Sequence, residues 1–182
     1  DRQNLERFGY AVAISEHPDT PVRIVAGAPM WDDPTTDQIS DDGRAFVFDY
    51  SAELDSWVTV ARLTSSAGLP YEMAEQEKRG GQFGTSIDVH GTYIVVGSPF
   101  SNGDDAEQGS AHLFSEFVDG STGETRSSWQ RAYGATSNGI PASGRLSQPN
   151  QDADDQRKST QFGTAVAIAT DRVVVGIPGL DE

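Results

Sequence analysis

The chain has 182 residues, enough for one sizeable domain or for several small units that share a core. Its 13 Lys and Arg against 28 Asp and Glu give a formal charge of −15, which disfavours nucleic acid and anionic lipid because cations bind both. The lack of cysteine excludes disulfides, thiol catalysis and thiolate metal sites. No apolar run approaches the roughly 20 residues that a membrane-spanning helix needs, and direct membrane insertion is not expected.

Three segments, taken in chain order, repeat one pattern. Each starts with Phe-Gly and ends in a Gly-x-Pro turn, and the starting residues Phe8, Phe83 and Phe162 are separated by 75 and 79 residues. After the turn, the first two copies add an acidic loop, a Gly-led apolar segment and a Trp-led segment. The Gly-led segments are 43–48 and 109–114, and the Trp-led segments are 57–63 and, more weakly, 129–133.

Each complete copy therefore contains four short segments rich in β-branched and aromatic residues, bounded by turn-forming residues. This pattern predicts a blade of four antiparallel strands, as in a β-propeller. The uninterrupted apolar runs 94–96 and 173–175 predict strands that are covered on both faces, as in stacked blades. The Phe that starts each copy is predicted to begin the first strand and to lie in the core.

The predicted fold is all-β, an incomplete arc of two propeller blades and part of a third. Because propellers usually have four to eight blades, we expect the chain to belong to a longer polypeptide or to be completed by other chains. Two long connections exceed the usual loop length and are functional, ordered by a partner, or mobile. The predicted units are blade one, 8–63; a connection, 64–82; blade two, 83–133; a long connection, 134–161; and the start of blade three, 162–182.

These motifs resemble FG-GAP repeats, which form the propeller heads of integrin α subunits and occur in microbial surface proteins. The microbial repeats are especially similar in Gly-Ser-Ala before the third strand, here 109–111, and in a Trp segment with an Ala-Lys-Leu-Thr-like end, here 61–64. The resemblance covers roughly 8–133 and 162–180. It implies a non-enzymatic extracellular or cell-surface module for adhesion or structural assembly, bound to protein partners or to neighbouring blades and subunits. The alternatives are an accessory propeller of a larger secreted enzyme and a glycan-binding propeller.

Calcium is the one cofactor that the sequence suggests. The calcium loop known from integrin-like repeats, Asp-x-Asn-x-Asp-Gly between strands one and two, is missing from all three copies. Acidic residues instead follow the Gly-x-Pro turns, where a flexible loop could supply the six to eight oxygens that calcium takes. The competing interpretation is that these residues simply form turns on a solvated rim. The candidate ligands are Asp32, Asp33, Asp37, Asp41, Asp42, Asp104, Asp105, Glu107 and Asp181.

No catalytic residue is predicted. The chain lacks a Gly-x-Ser-x-Gly elbow, a His-Glu-x-x-His pair and a phosphate-binding loop. His17 and His90 fall in turns that are expected to be exposed, and His112 falls in a predicted strand. We interpret these three histidines as unrelated to one another.

Two aromatic residues are candidate partner contacts. Trp31 and Phe100 directly follow the Gly-x-Pro turns in loops that would lie on one rim of a propeller. Recognition residues concentrate in such loops, and buried aromatic side chains dominate many interfaces. The alternative is that each ring closes its own loop as a hydrophobic plug.

Overall fold

The computed structural model describes residues 7–32, 41–65, 80–101, 108–119, 126–131, 145–146 and 160–179. In these ranges all the regular elements are β-strands. Helices long and apolar enough to cross a membrane are lacking from this part of the chain.

The first sheet has four antiparallel strands in sequential order. They are β1 (Val12–Ser15), β2 (Arg23–Ala28), β3 (Arg44–Ser51) and β4 (Ser56–Leu63). A register shift between Val47 and Phe48 places a bulge in the pairing of β3 with β4.

The second sheet repeats this order and adds one short strand. Its strands are β5 (Ser86–His90), β6 (Tyr93–Ser98), β7 (Ser110–Asp119), β8 (Arg126–Arg131) and β9 (Arg145–Leu146). The third sheet consists of β10 (Val166–Ala169) paired with β11 (Arg172–Val175). The short β9 pairs with β7 and lies in the long connection, where the sequence predicted no strand.

Strand register shows that the first two sheets are equivalent residue by residue. Tyr50 pairs with Trp57 in the first sheet, and Glu116 pairs with Trp129 in the second. The two pairs occupy the same place, because the amides of Tyr50 and Glu116 each donate to the carbonyl of the residue preceding strand two, both at 2.9 Å. The two Trp-led segments align only weakly in sequence, but Trp57 and Trp129 occupy equivalent positions in the backbone pairing.

The three sheets stack face to face, and two apolar clusters form at the junctions between them. The first junction joins Val25, Val47 and Leu63 of the first sheet to Ile94, Val96 and other residues of the second. At the second junction Val95, Ala111 and Leu113 meet Phe162 and the strands of the third sheet. The second sheet is thus buried on both faces, as its unbroken apolar run predicted. The described sheets do not close into a ring, and they have the architecture of a partial propeller.

Two predictions about the core are wrong: that all three starting phenylalanines are buried, and that the run 173–175 is covered on both faces, since Val174 is 62% exposed. Phe83 and Phe162 are buried, but Phe8 is 60% exposed. The side chains of Phe83 and Phe162 pack at the junction with the preceding sheet. The structure describes no sheet before the first one, so no described residue covers Phe8 on that side. All three phenylalanines also precede their strands, which begin at Val12, Ser86 and Val166, so none of them starts a strand as predicted.

The sheet junctions and the loop rim as candidate functional sites

Glycines of the two halves of the repeat motif meet across each junction. A Cβ built on Gly27 would lie 2.1 Å from the carbonyl oxygen of Gly84, and one built on Gly97 would lie 2.0 Å from that of Gly163. No side chain fits at such distances. The glycine of each of the first two Gly-x-Pro turns therefore lets the Phe-Gly of the next copy approach backbone to backbone.

The loops after the first two Gly-x-Pro turns each hold the next Phe by the main chain of their last residues. The amide of Phe83 donates to the carbonyl of Asp42 at 3.1 Å, and the amide of Phe162 donates to Gln108 at 2.9 Å. Gly43 and Gly109 form matching parallel bridges to the same two phenylalanines. The end of each loop is therefore part of the scaffold.

A buried charge cluster crosses the first junction. Arg23 is fully buried, and its Nε and Nη2 donate to the two carboxylate oxygens of Asp49 at 2.7 and 2.8 Å. Its Nη1 lies 3.0 Å from Glu116 Oε2 and donates to the carbonyl of Gly91 at 3.0 Å, both in the second sheet. Desolvation by itself would lower the pKa of Arg23, but the hydrogen bonds to Asp49 and Glu116 outweigh it and raise that pKa above its ordinary value.

Polar side chains also cross the second junction. Asp88 Oδ2 accepts a hydrogen bond from the amide of Ile168 at 2.8 Å, and Ser86 Oγ donates to the carbonyl of Gly163 at 2.7 Å. Both contacts tie the first strand of the second sheet to the third sheet. The two junctions thus share one backbone geometry but use different side chains.

A serine–histidine contact lies in the interior of the second sheet. The hydroxyl of Ser110 is 2.8 Å from His112 Nε2 and 2.6 Å from the hydroxyl of Ser101. Such a contact could activate a nucleophile if a substrate reached it. All three side chains are fully buried, and the ring of Phe83 packs edge-to-face on His112 at 5.4 Å. Ser110 and His112 lie on the same strand, β7, and Ser101 ties the loop after β6 to them; the buried arrangement offers no access to a substrate.

The turns that follow the first strand of each sheet lie side by side. His17 and His90 pack edge-to-face with ring centroids 5.4 Å apart, and the hydroxyl of Thr170 lies 3.3 Å from His90 Nε2. Both histidines are half-buried, whereas the sequence predicted exposed and unrelated residues. Their 73-residue separation along the chain gave no signal for this contact.

The structure places the two candidate partner contacts at half-buried positions on the loops. The guanidinium carbon of Arg44 lies 3.4 Å from the centroid of the Trp31 ring, a cation–π contact that covers one face of the indole. The amide of Phe100 donates to the carbonyl of Gly81 at 3.3 Å. Both residues thus help to hold their loops in place, and partner binding by either stays a prediction.

Only part of the predicted calcium set falls in the described residues. Asp32 Oδ1 accepts a hydrogen bond from the amide of Asp41 at 2.9 Å, which closes the first acidic loop at its base, and Asp42 follows at a half-buried position. Across the described ranges no three Asp, Glu or His side chains converge on a possible metal position. The other candidates lie outside those ranges: Asp33, Asp37, Asp104, Asp105, Glu107 and Asp181.

The sequence missed an exposed aromatic pair on the outer hairpin of the first sheet. The rings of Tyr50 and Trp57 are 5.6 Å apart at 65°, and the two residues are 37% and 44% exposed. The hydroxyl of Tyr50 donates to Asp55, and Leu54 at the hairpin tip is 66% exposed. The turn sequence between β3 and β4 signals a hairpin, but only the register puts the two rings together.

Comparison with known proteins agrees with the predicted resemblance. Residues 57–114 match a family model described as FG-GAP repeat. The match starts in β4, crosses the first junction and ends in β7. A search of curated proteins gave no match. The FG-GAP resemblance is therefore confirmed over this stretch of the chain.

Proposed function

We propose that this chain acts as a non-enzymatic, extracellular or cell-surface module of the β-propeller type, for adhesion or structural assembly. One observation carries the proposal. The described side chains best suited to chemistry, namely Arg23 with its carboxylates and the Ser110–His112 pair, are buried. Arg23 connects the first two sheets, and Ser110 is tied through Ser101 to the loop after β6. We assign both groups a structural role, which leaves loops and sheet faces for recognition.

The loop rim supports an adhesive role. Trp31 and Arg44 form a stacked pair beside the acidic base of the first loop, marked by Asp32 and Asp41. Rigid scaffolds commonly position recognition residues on such loops. With a formal charge of −15, the module favours a protein partner that presents basic residues.

Adhesion can be tested on the cells that make the protein. Beads coated with the protein should be retained by those cells under flow, and Trp31→Ala should reduce retention while Val60→Ala, a change on an exposed edge strand, should not. Proteolysis of intact cells should remove the native protein. Retention equal to that of bare beads, or protection of the protein until lysis, would contradict the proposal.

The non-enzymatic part has its own test. Purified protein should give no turnover on panels of chromogenic esters, glycosides and peptides. Turnover that follows the protein through two different purification steps and is lost in Ser110→Ala would contradict it. A Ser65→Ala variant is the matched control, because Ser65 is also a buried serine but lies in the segment that follows β4.

The exposed Tyr50–Trp57 pair favours glycan binding as a second candidate function. Sugar rings stack through their C–H faces on exposed aromatic rings, and a neighbouring carboxylate such as Asp55 can accept hydrogen bonds from sugar hydroxyls. Calorimetry against a panel of neutral polysaccharides tests it. Binding should disappear in Trp57→Ala and persist in Trp31→Ala, and the opposite order of effects would shift the site to the loop rim.

A further inference from the structure

We infer that His17 and His90 together bind one divalent transition-metal ion, which joins the first two sheets at the turns between their first and second strands. The two rings pack edge-to-face with their centroids 5.4 Å apart. Imidazole is the side chain that zinc, nickel and copper favour where thiolates are lacking, and the chain has no cysteine. The inference goes beyond the proposed function, because neither adhesion nor assembly requires a metal at this place.

Buried contacts on both sides of His17 hold the two turns together. The hydroxyl of Ser15 accepts a hydrogen bond from the amide of Gly91 at 3.1 Å, and Nη1 of Arg23 donates to the carbonyl of Gly91 at 3.0 Å. Ser15 ends β1 and Arg23 begins β2, so both ends of the turn that carries His17 are tied to the residue next to His90. The two imidazoles are therefore held side by side before any ion binds, which lowers the entropic cost of binding.

The glycine after His90 makes room for the ring of His17. A Cβ built on Gly91, which has φ +56°, would lie 3.3 Å from Cγ and 3.4 Å from Cδ2 of His17. These distances are shorter than ordinary contacts, so a side chain at this position would push the ring of His17 aside. Glycine here keeps the two imidazoles in contact.

Each ring has one nitrogen with a neighbour and one nitrogen available to a metal. Nδ1 of His17 accepts a hydrogen bond from the amide of Asp19 at 3.3 Å, and Nε2 of His90 lies 3.3 Å from the hydroxyl of Thr170. No described residue forms a hydrogen bond with Nε2 of His17 or with Nδ1 of His90. Histidines that bind a metal have this arrangement, with a hydrogen-bond partner on one nitrogen and the ion on the other.

Asp19 is suited to position His17 without binding the metal itself. A ring that binds an ion through Nε2 carries its hydrogen on Nδ1. Oδ2 of Asp19 lies 3.9 Å from that nitrogen, and the side chain of Asp19 is 86% exposed. In the metal-bound protein Nδ1 donates to this carboxylate instead of accepting from the amide, a contact that orients the ring and strengthens it as a ligand.

Two imidazoles supply only part of a coordination sphere. Within the described ranges no three Asp, Glu or His side chains converge on one position, so water completes the coordination of the ion. Such a site is weaker than a structural zinc site, which has four protein ligands. Calcium and magnesium are not expected to bind here, because both ions take oxygen ligands.

Titration calorimetry with zinc chloride on protein stripped of metal tests the inference. We expect one equivalent to bind with an affinity that falls about tenfold or more in His17→Gln and in His90→Gln, since a ligand matters at least as much as its outer partner. Asp19→Asn should weaken binding about tenfold. Glu16→Gln is the matched control, because it removes an exposed carboxylate next to His17 and should leave zinc binding unchanged.

Electron paramagnetic resonance with one equivalent of Cu²⁺ identifies the ligands directly. The wild-type spectrum should show coupling to two imidazole nitrogens, and either glutamine variant should show coupling to one. A wild-type spectrum without imidazole coupling would overturn the inference, and this measurement stands even where a variant does not fold. Zinc affinity that is the same in the wild type and in both folded glutamine variants would also overturn it, because binding would then be adventitious and due to the acidic surface.

Discussion

Arg23 and Asp49 face each other across β2 and β3 and form a two-pronged ion pair, with both N–O distances under 3 Å, inside the first junction. Burying charges is costly, and such pairs often contribute less to stability than an apolar pair of similar volume. Their value here is in specificity, because Arg23 also binds Glu116 and Gly91 and so fixes one lateral position of the two sheets. In the second sheet the position of Arg23 is occupied by Tyr93, whose register partner is Ser115, so the cluster distinguishes the first junction from the second.

Replacing Arg23 tests how much the stability of the fold depends on pairing the buried carboxylates with a cation. Arg23→Met leaves two carboxylates in a buried site without their cation, which is expected to cost about 3–5 kcal/mol in the free energy of unfolding. Urea denaturation followed by tryptophan fluorescence measures it. Arg172→Met is the control, because Arg172 pairs with Asp171 at 2.8 Å while both side chains are mostly exposed, and no measurable loss is expected there. Equal losses in the free energy of unfolding of the two variants would contradict the buried, ion-paired position of Arg23.

The parts of the fold that were predictable from sequence are those set by local pattern. The spacing of Phe-Gly and Gly-x-Pro marked each sheet, and the unbroken apolar run at 94–96 predicted a strand covered on both faces, because a sheet with one exposed face alternates polar and apolar residues. The Phe-Gly motif likewise predicted a core position for Phe8. That prediction is wrong, since the burial of this side chain depends on a covering sheet and not on the residue itself.

Long-range polar contacts could not be predicted. Arg23 lies on an otherwise apolar strand and binds partners 26 and 93 residues further along the chain, at Asp49 and Glu116. No rule of residue spacing predicts contacts between such distant positions. The contact between His17 and His90 could not be predicted for the same reason. The acidic loops were recognisable as loops, but their sequence did not reveal that the Asp42 carbonyl would hold Phe83.

The glycine contact across the second junction gives a sharp test of the stacking. Gly97→Ala would put a methyl group 2.0 Å from the carbonyl oxygen of Gly163, a backbone atom, so the third sheet must move away. Overpacking of this kind costs about 1–3 kcal/mol or more. Gly176→Ala is the matched control, because its methyl would meet Ala165 at 3.3 Å and otherwise only ordinary contacts. Thermal denaturation of both should show a clear loss for Gly97→Ala alone. A stable Gly97→Ala protein would mean that the second and third sheets do not pack as described.

Calcium binding by the acidic loops remains a prediction, and melting experiments check it. If a loop holds calcium in the folded state only, 100-fold excess over the dissociation constant should add about 2.7 kcal/mol of stability, and chelator should remove it. Asp32→Asn keeps an oxygen that can accept from the Asp41 amide but loses a charge, so it should reduce the calcium response while changing the metal-free midpoint little. An identical melting midpoint in saturating calcium and in chelator would contradict calcium binding and favour the interpretation that these loops are solvated turns.

The Tyr50–Asp55 hydrogen bond predicts a specific response to alkaline pH. Asp55 accepts from the neutral phenol and so favours the protonated form, which, with a smaller contribution from desolvation, raises the pKa of Tyr50 above its ordinary value of 10.0. Because the folded-state pKa is the higher one, this contact stabilises the fold below pH 10 and the stabilisation is lost as the pH rises through the raised pKa. Difference titration of phenolate absorbance, wild type minus Tyr50→Phe, isolates this group. Its midpoint should lie above 10 and fall toward 10 in Asp55→Asn, whereas a midpoint that is the same in both backgrounds would show that the hydrogen bond does not persist in solution.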